Sequence, residues 1–230
     1  KLIGWEKNIK KKDYVQLSPI FLCKEKFALK NFTKLFFKKK ILFLTTSSSL
    51  YTYRIEDKIL SSQIKLHLNF WKIFFNKLPL HIKNEFLIRN NPQFDPWNLK
   101  RDLNLFFKRN VCSNFKNINT DIYRSKILIN TSMSTSFFQS MHSGIPCILL
   151  LKDDLWNLSL DGKKIYYLLK KNKIIFTKPK LLVNHLIRIN QDPLIWWNNN
   201  KTLKARSSFK KQFMKSGSFK HWCEYFSTLN

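Results

Sequence analysis

The stretch NTSMSTSFFQSMHSGIPCILLL, residues 130–151, places small hydroxyl residues between two apolar runs in a chain otherwise heavy in Lys and Asn. Ser134, Thr135 and Ser136 can each cap a helix start. Ser136-x-x-Gln139 also fits the capping box, in which the Ser hydroxyl accepts a backbone N–H and the Gln reaches back to another. The predicted helix is short, over 135–142: Gly144 suits the left-handed residue after the last turn, and Pro146 prevents continuation. A helix start with free amides and several hydroxyls can hold a phosphate-sized anion. Capping alone would account for these residue types, since Ser and Thr compete for backbone partners at many helix ends. What points to a ligand is the position of the stretch, directly after an apolar strand.

The other titratable residues nearby have simpler readings. His142 falls in the last turn of the predicted helix, where the dipole favours a protonated imidazole in a structural role. Asp153 and Asp154 follow the next apolar run. Neighbours on an extended segment point opposite ways, so the pair makes poor co-ligands and no metal is expected. Cys23, Cys112, Cys147 and Cys223 are scattered, with no C-x-x-C pair and no His at a ligand interval, which indicates neither a zinc site nor a disulfide framework. Cys147 opens an apolar run and reads as a small buried hydrophobe.

The elements that must position the stretch alternate along the chain. KKKILFLTT (38–46), the apolar core of NEFLIRNNPQ (86–88), SKILIN (125–130), PCILLL (146–151) and KIIFT (173–177) read as short buried strands. Between them the apolar spacing predicts a long amphipathic helix over 56–77, ended by Pro79. Further helices are predicted over 95–109, with Asp95 as cap and Pro96 as first residue, and over 161–171 and 179–190. Strands without polar alternation suit a parallel sheet covered on both faces, so the fold expected is α/β, a doubly wound parallel sheet. The carboxyl ends of such strands face the ligand crevice, which is where Asn130 to Ser134 fall. No G-x-G-x-x-G is present, which argues against a dinucleotide grip and for a different hold on phosphate. The expected organisation is a linker segment over 1–34, a Rossmann-like domain over 35–192 and C-terminal helices over 193–230. Those helices carry Trp196, Trp197, Trp222 and Phe226, which need a surface to cover.

At 230 residues and 44% apolar composition the chain can bury a real core. No apolar run reaches the length of about 18 residues that a membrane span needs, and the reading is a cytoplasmic protein. Its formal charge of +28 ordinarily points to nucleic acid or an anionic membrane face. Here Lys, Asn, Ile and Phe are raised together, as a mutational bias toward A/T-rich codons would raise them. The basic residues are also spread almost evenly, so nucleic acid is not the expected partner. The basic surface leaves peripheral contact with anionic inner-membrane lipids as a weaker expectation.

The same residues carry a resemblance. STSFFQSMHSGIP is similar to the segment S/T-T-x-F-L-E-A-L/M-x-x-x-x-P in the C-terminal domain of GT-B-type glycosyltransferases, closest to a transferase family found with bacterial surface-polysaccharide genes. GW and LSP near the start, ILFLTT…YTYR, LIRNNPQFDPW, CILLLKDDLW, YYLLKKNKIIFT and DPLIWWNN extend the similarity in order over nearly the whole chain. The resemblance implies two facing Rossmann-like domains with the reaction between them. This chain would hold the second plus the linker, and the N-terminal domain would be its missing partner, an expectation that the initial Lys in place of Met also raises. It implies a nucleotide-diphosphate sugar as donor substrate, no separate cofactor, and a general base outside this chain. Ser132, Ser134 and Thr135 would then bind the donor diphosphate and Gln139 the nucleoside ribose. Arg54 and Arg89, each after a strand end, would neutralise phosphate charge as the leaving group departs. Gln139 stands where such transferases commonly carry Glu; it keeps hydrogen bonds to hydroxyls but has no acid/base capacity. A basic nucleic-acid-binding module, or an epimerase or kinase of polysaccharide precursors, are the alternatives.

Overall fold

The computed structural model describes residues 2–4, 14–17, 40–46, 63–90, 95–115, 118–152, 158, 160–214 and 219–228. Two short strands, β1 (Leu2–Gly4) and β2 (Tyr14–Gln16), pair in parallel by themselves. The main sheet holds β3 (Lys40–Leu44), β4 (Phe86–Arg89), β5 (Ser125–Asn130), β6 (Cys147–Leu150) and β7 (Ile175–Phe176), in the spatial order β4-β3-β5-β6-β7. Every pairing in it is parallel. From Ile41 to Leu44 and from Cys147 to Leu150 each residue is buried, as strands covered on both faces require. This is the doubly wound α/β fold expected from the run of apolar strands.

The helices described are α1 (Ile64–Asn76), α2 (Leu80–Lys83), α3 (Leu99–Phe107), α4 (Ile118–Tyr123), α5 (Thr135–Ser143), α6 (Leu160–Lys171), α7 (Pro179–Ile189), α8 (Pro193–Trp197), α9 (Asn200–Phe213) and α10 (Phe219–Ser227). The chain steps from β3 outward to β4 through α1, then returns across β3 to β5 and continues the other way to β6 and β7. Right-handed crossovers therefore put α1 on one face and α5 and α6 on the other. The contacts agree: α1 packs against α7, while α9 lies against both α5 and α6.

The α1 face is aromatic. Phe43 on β3 meets Trp71 edge-on at 5.7 Å and Phe75 at 4.9 Å, and Phe75 meets Phe107 of α3 at 4.8 Å. Rings in such tilted and T-shaped pairs add about 0.5–1.5 kcal/mol each beyond their area. The predicted long helix is seen from Ile64 to Asn76, the part before Gln63 lying outside the described residues. The N-cap of α3 is Asn98 and not Asp95 as expected: the Asp95 carboxylate accepts from Leu99 N and Lys100 N across a turn, so α3 begins at Leu99 and not at Pro96. The terminal helical run breaks at Asn198, and Asn199 caps α9 by accepting from Thr202 N at 2.8 Å. Trp196 and Trp197 are buried, and Trp197 Nε1 donates to Gly144 O at 2.6 Å, strapping α8 across the end of α5. Trp222 is half-buried and Phe226 exposed.

His185 of α7 lies between the Phe176 ring and the Trp196 ring, and burial, then Arg188 and Lys173, push its pKa down to about 4. A histidine held neutral by the fold stabilises above its unfolded pKa near 6.5 and loses that contribution as pH falls toward 4. At roughly 1.4 kcal/mol per pKa unit, acidification from pH 7 to 4 should cost about 2–3 kcal/mol through this residue. Urea unfolding of His185→Phe should show a shallower decline over that window, and parallel pH profiles for the two proteins would exclude the assignment.

Candidate functional site

In a doubly wound sheet ligands bind outside the carboxyl ends of the strands, at the point where the strand order reverses. Here that point lies between β3 and β5, and the residues leaving those two strands meet. Thr131 Oγ1 donates to Leu44 O at 2.9 Å. With that proton committed, the 3.1 Å contact between Thr46 Oγ1 and Thr131 Oγ1 has Thr46 as its donor. On the other side of β3, Thr45 donates to Asn90 Oδ1 at 2.9 Å. The carboxyl edge from β4 to β5 is thus a row of short polar side chains held by one another.

Helix α5 rises from this row. Ser134 has extended backbone and is the N-cap, and Gly144 takes the left-handed conformation (φ 76°) after the last turn, as Gly-Ile-Pro foretold. The capping box does not form. Ser136 is already inside the helix, and Ser134 Oγ contacts Ser136 Oγ at 2.9 Å and no backbone amide. Phe137 N donates to Ser134 O at 2.9 Å, while the amides of Thr135 and Ser136 have no partner among the described residues. Ser134 and Thr135 are exposed. The first turn is anchored from below: Asn130 Nδ2 donates to Ser140 Oγ at 3.3 Å, and Ser140 Oγ donates to Ser136 O at 2.7 Å. An open, oriented helix amino end with two unpaired amides is what an anion requires. Two buried amide-group atoms along the same sheet edge, Asn130 Oδ1 at the end of β5 and Asn90 Nδ2 after β4, also lack partners among the described residues.

The predicted site residues are placed as follows. Ser132, Ser134 and Thr135 lie together at the strand end, Ser132 buried and the other two exposed. Gln139 is half-buried one turn further on. At 100° per residue it shares the helix face of Thr135, away from the buried Phe137 and Met141. Arg54 lies outside the described residues, as do Asp153 and Asp154. Arg89 is only 7% exposed; its Nη1 donates to Asp121 Oδ2 at 2.6 Å and to Phe115 O at 2.8 Å. Asp121 also accepts from Ser113 Oγ at 2.7 Å. That network ties β4 to α4 and gives Arg89, expected to neutralise phosphate charge, an internal counter-ion. Asn130, already placed at the crevice by its position, is joined at this edge by Thr46 and Asn90, which the reading of residue types did not single out. Their signal was place: each is the last residue of a strand or lies within two residues of its end.

Burial and then Lys210 push the pKa of His142 down, against the effect expected of the helix dipole there. The thiols of Cys112 and Cys147 are pushed up to about 11 and about 12, chiefly by burial, which makes them inert packing groups. Among the described residues no three His, Cys, Asp or Glu side chains come together to hold a metal.

What kind of catalyst carries such an edge is decided by the sequence as a whole, for residues 3–225 match the profile of the LIC12162 family transferase. The chain belongs to the LIC12162 transferase family. No curated protein matches it. The match to this transferase family covers every element that forms the carboxyl edge of the sheet. Among the described residues of this transferase no helix is long and apolar enough to cross a membrane.

Proposed function

We propose that this LIC12162 family transferase moves a sugar from a nucleotide-diphosphate donor to a hydroxyl acceptor in surface-polysaccharide biosynthesis, as part of a GT-B-type enzyme. The observation that carries the reading is the exposed amino end of α5, with two amides that have no partner among the described residues, at the reversal point of the strand order. In glycosyl transfer from such a donor, positive charge develops on the sugar while negative charge grows on the departing diphosphate. A fixed helix amino end stabilises the second of these without reorganising. Ser134 and Thr135 add hydroxyl donors at the same place, and Gln139, one turn on, offers amide hydrogen bonds to the ribose. The general base and acceptor contacts come from a facing N-terminal Rossmann-like domain, and the basic surface holds the protein near anionic lipid.

Nucleoside diphosphates test this directly. At a concentration 100 times the dissociation constant, a ligand that binds only the folded protein adds about 2.7 kcal/mol. For a domain of this size that is a rise of roughly 5–10 °C in Tm. A panel of uridine, guanosine, thymidine and adenosine diphosphates should show one clear responder. If all four leave the melting temperature where it was, the nucleotide-sugar assignment is wrong.

A further inference from the structure

A cavity of about 180 Å³ lies between α5, α6 and α9, behind the amino end of α5. Its walls include Met133, Phe137, Ile165, Tyr166, Phe209 and Phe213, and the one side-chain hydroxyl among its described lining residues, that of Tyr166, accepts from Lys170 at 3.5 Å. A nucleobase would leave its polar edge unpaired there, at a cost of a few kcal/mol. A dry apolar cavity of about 150 Å³ is enough to take a benzene-sized hydrocarbon, so this one fits a short stretch of aliphatic chain.

Two further features describe the molecule that carries such a chain. Met133 follows β5, Leu158 follows β6 and Gly162 lies in the first turn of α6, so one end of the cavity is at the carboxyl edge of the sheet, next to Ser134. The helices α6 and α9 that flank it carry nine basic residues and a single acid, Asp161, against 42 and 14 in the whole chain. Asp161 is itself paired with Lys164 at 3.2 Å. Of the exposed lysines on these helices, Lys163 and Lys164 stand beside Gly162 in the first turn of α6 and Lys211 lies between the cavity-lining Phe209 and Phe213 of α9, whereas Lys171 and Lys201 lie at the far ends of the two helices. A hydrocarbon pocket set between two strongly cationic helices is complementary to a molecule with an apolar tail and an anionic head.

We infer that this cavity seats the chain of a single-chain aliphatic phosphate, whose head is held at the open end by Lys163 of α6 and Lys211 of α9. The binding stands on the cavity and the lysines. Only its role, as the second substrate beside the nucleotide donor, rests on the transfer reading above.

Binding of butyl, hexyl and octyl phosphate to the full chain, each kept below its micelle concentration, tests it by calorimetry. Each buried methylene is worth about 0.8 kcal/mol, so affinity should rise roughly fourfold per carbon until the cavity is full. Octanol and inorganic phosphate should each bind at least about tenfold more weakly than octyl phosphate, a difference of 1.4 kcal/mol. Gly162→Leu fills the cavity from its open end. Gly162 is helical with ordinary φ, so the variant should fold and gain helix propensity. It should lose the gain from hexyl to octyl phosphate while keeping any nucleoside diphosphate response. Equal affinity along the chain series, octanol binding as well as octyl phosphate, or an unchanged series in Gly162→Leu would each overturn the inference. A flat nucleotide panel with the chain series intact would instead remove the transfer reading and leave the cavity assignment standing.

Discussion

Asp121→Asn should lower the stability of this protein by about 3–5 kcal/mol, because it takes the Asp121 charge away from the buried Arg89 guanidinium. Arg89 is 7% exposed, Asp121 is fully buried, and their 2.6 Å bond is the centre of a network that includes Ser113 and Phe115 O. Against a total of about 5–15 kcal/mol for an ordinary domain, that loss is large enough to read as a marked fall in the urea midpoint. Removing both charges is a different matter. Arg89→Met/Asp121→Leu keeps apolar volume at both positions and should cost far less, since a buried ion pair recovers in attraction little more than it lost in desolvation. The double variant also separates two roles for Arg89. Unchanged nucleotide affinity in it would establish a purely internal role, whereas a loss of tenfold or more with stability retained would return Arg89 to the phosphate.

Thr135→Glu should move stability and binding in opposite directions. Thr135 is exposed in the first turn of α5, where a carboxylate meets the positive end of the helix dipole and adds about 0.3–1 kcal/mol to the fold. The same carboxylate would lie where the diphosphate is proposed to sit. Two unit charges 4 Å apart near a protein surface interact by about 4 kcal/mol, so even a partly screened repulsion should weaken a nucleoside diphosphate at least tenfold. Thermal melts with and without nucleotide read both effects on one sample. A stabilised variant that still responds fully to nucleotide would mean that the amino end of α5 is only a helix end. A phosphate contact and a plain cap predict the same sign for stability, so the second measurement carries the distinction.

Position along the chain made the architecture legible. Runs such as ILFL and CILL lack polar alternation because both faces of their strands are covered, and the helices between them follow the 3.6-residue period. Gly144 and Pro146 marked the end of α5 for reasons that are local to the backbone, and the structure keeps that end. Caps were less legible than ends. Ser134, Thr135 and Ser136 are interchangeable by residue type, and the structure chose Ser134 because Phe137 and Met141 must face the sheet, which fixes the helix phase and puts Ser136 one step inside.

By itself, then, the amino-acid sequence determined the α/β class, the order of its strands and helices, and the presence of a hydroxyl-rich helix start after the third strand of the main sheet. These follow from local propensity and periodicity, which need no knowledge of distant residues. Only the tertiary structure decided that β5 lies beside β3, so that Thr131 and Thr46 close the crevice floor at the reversal of strand order. The same holds for the pairing of Arg89 with a carboxylate 32 residues away, and for the apolar space enclosed between α5, α6 and α9. An arginine after a strand end reads the same whether it faces phosphate or a buried aspartate, because its partner is chosen by packing in space, and spacing along the chain does not record that choice.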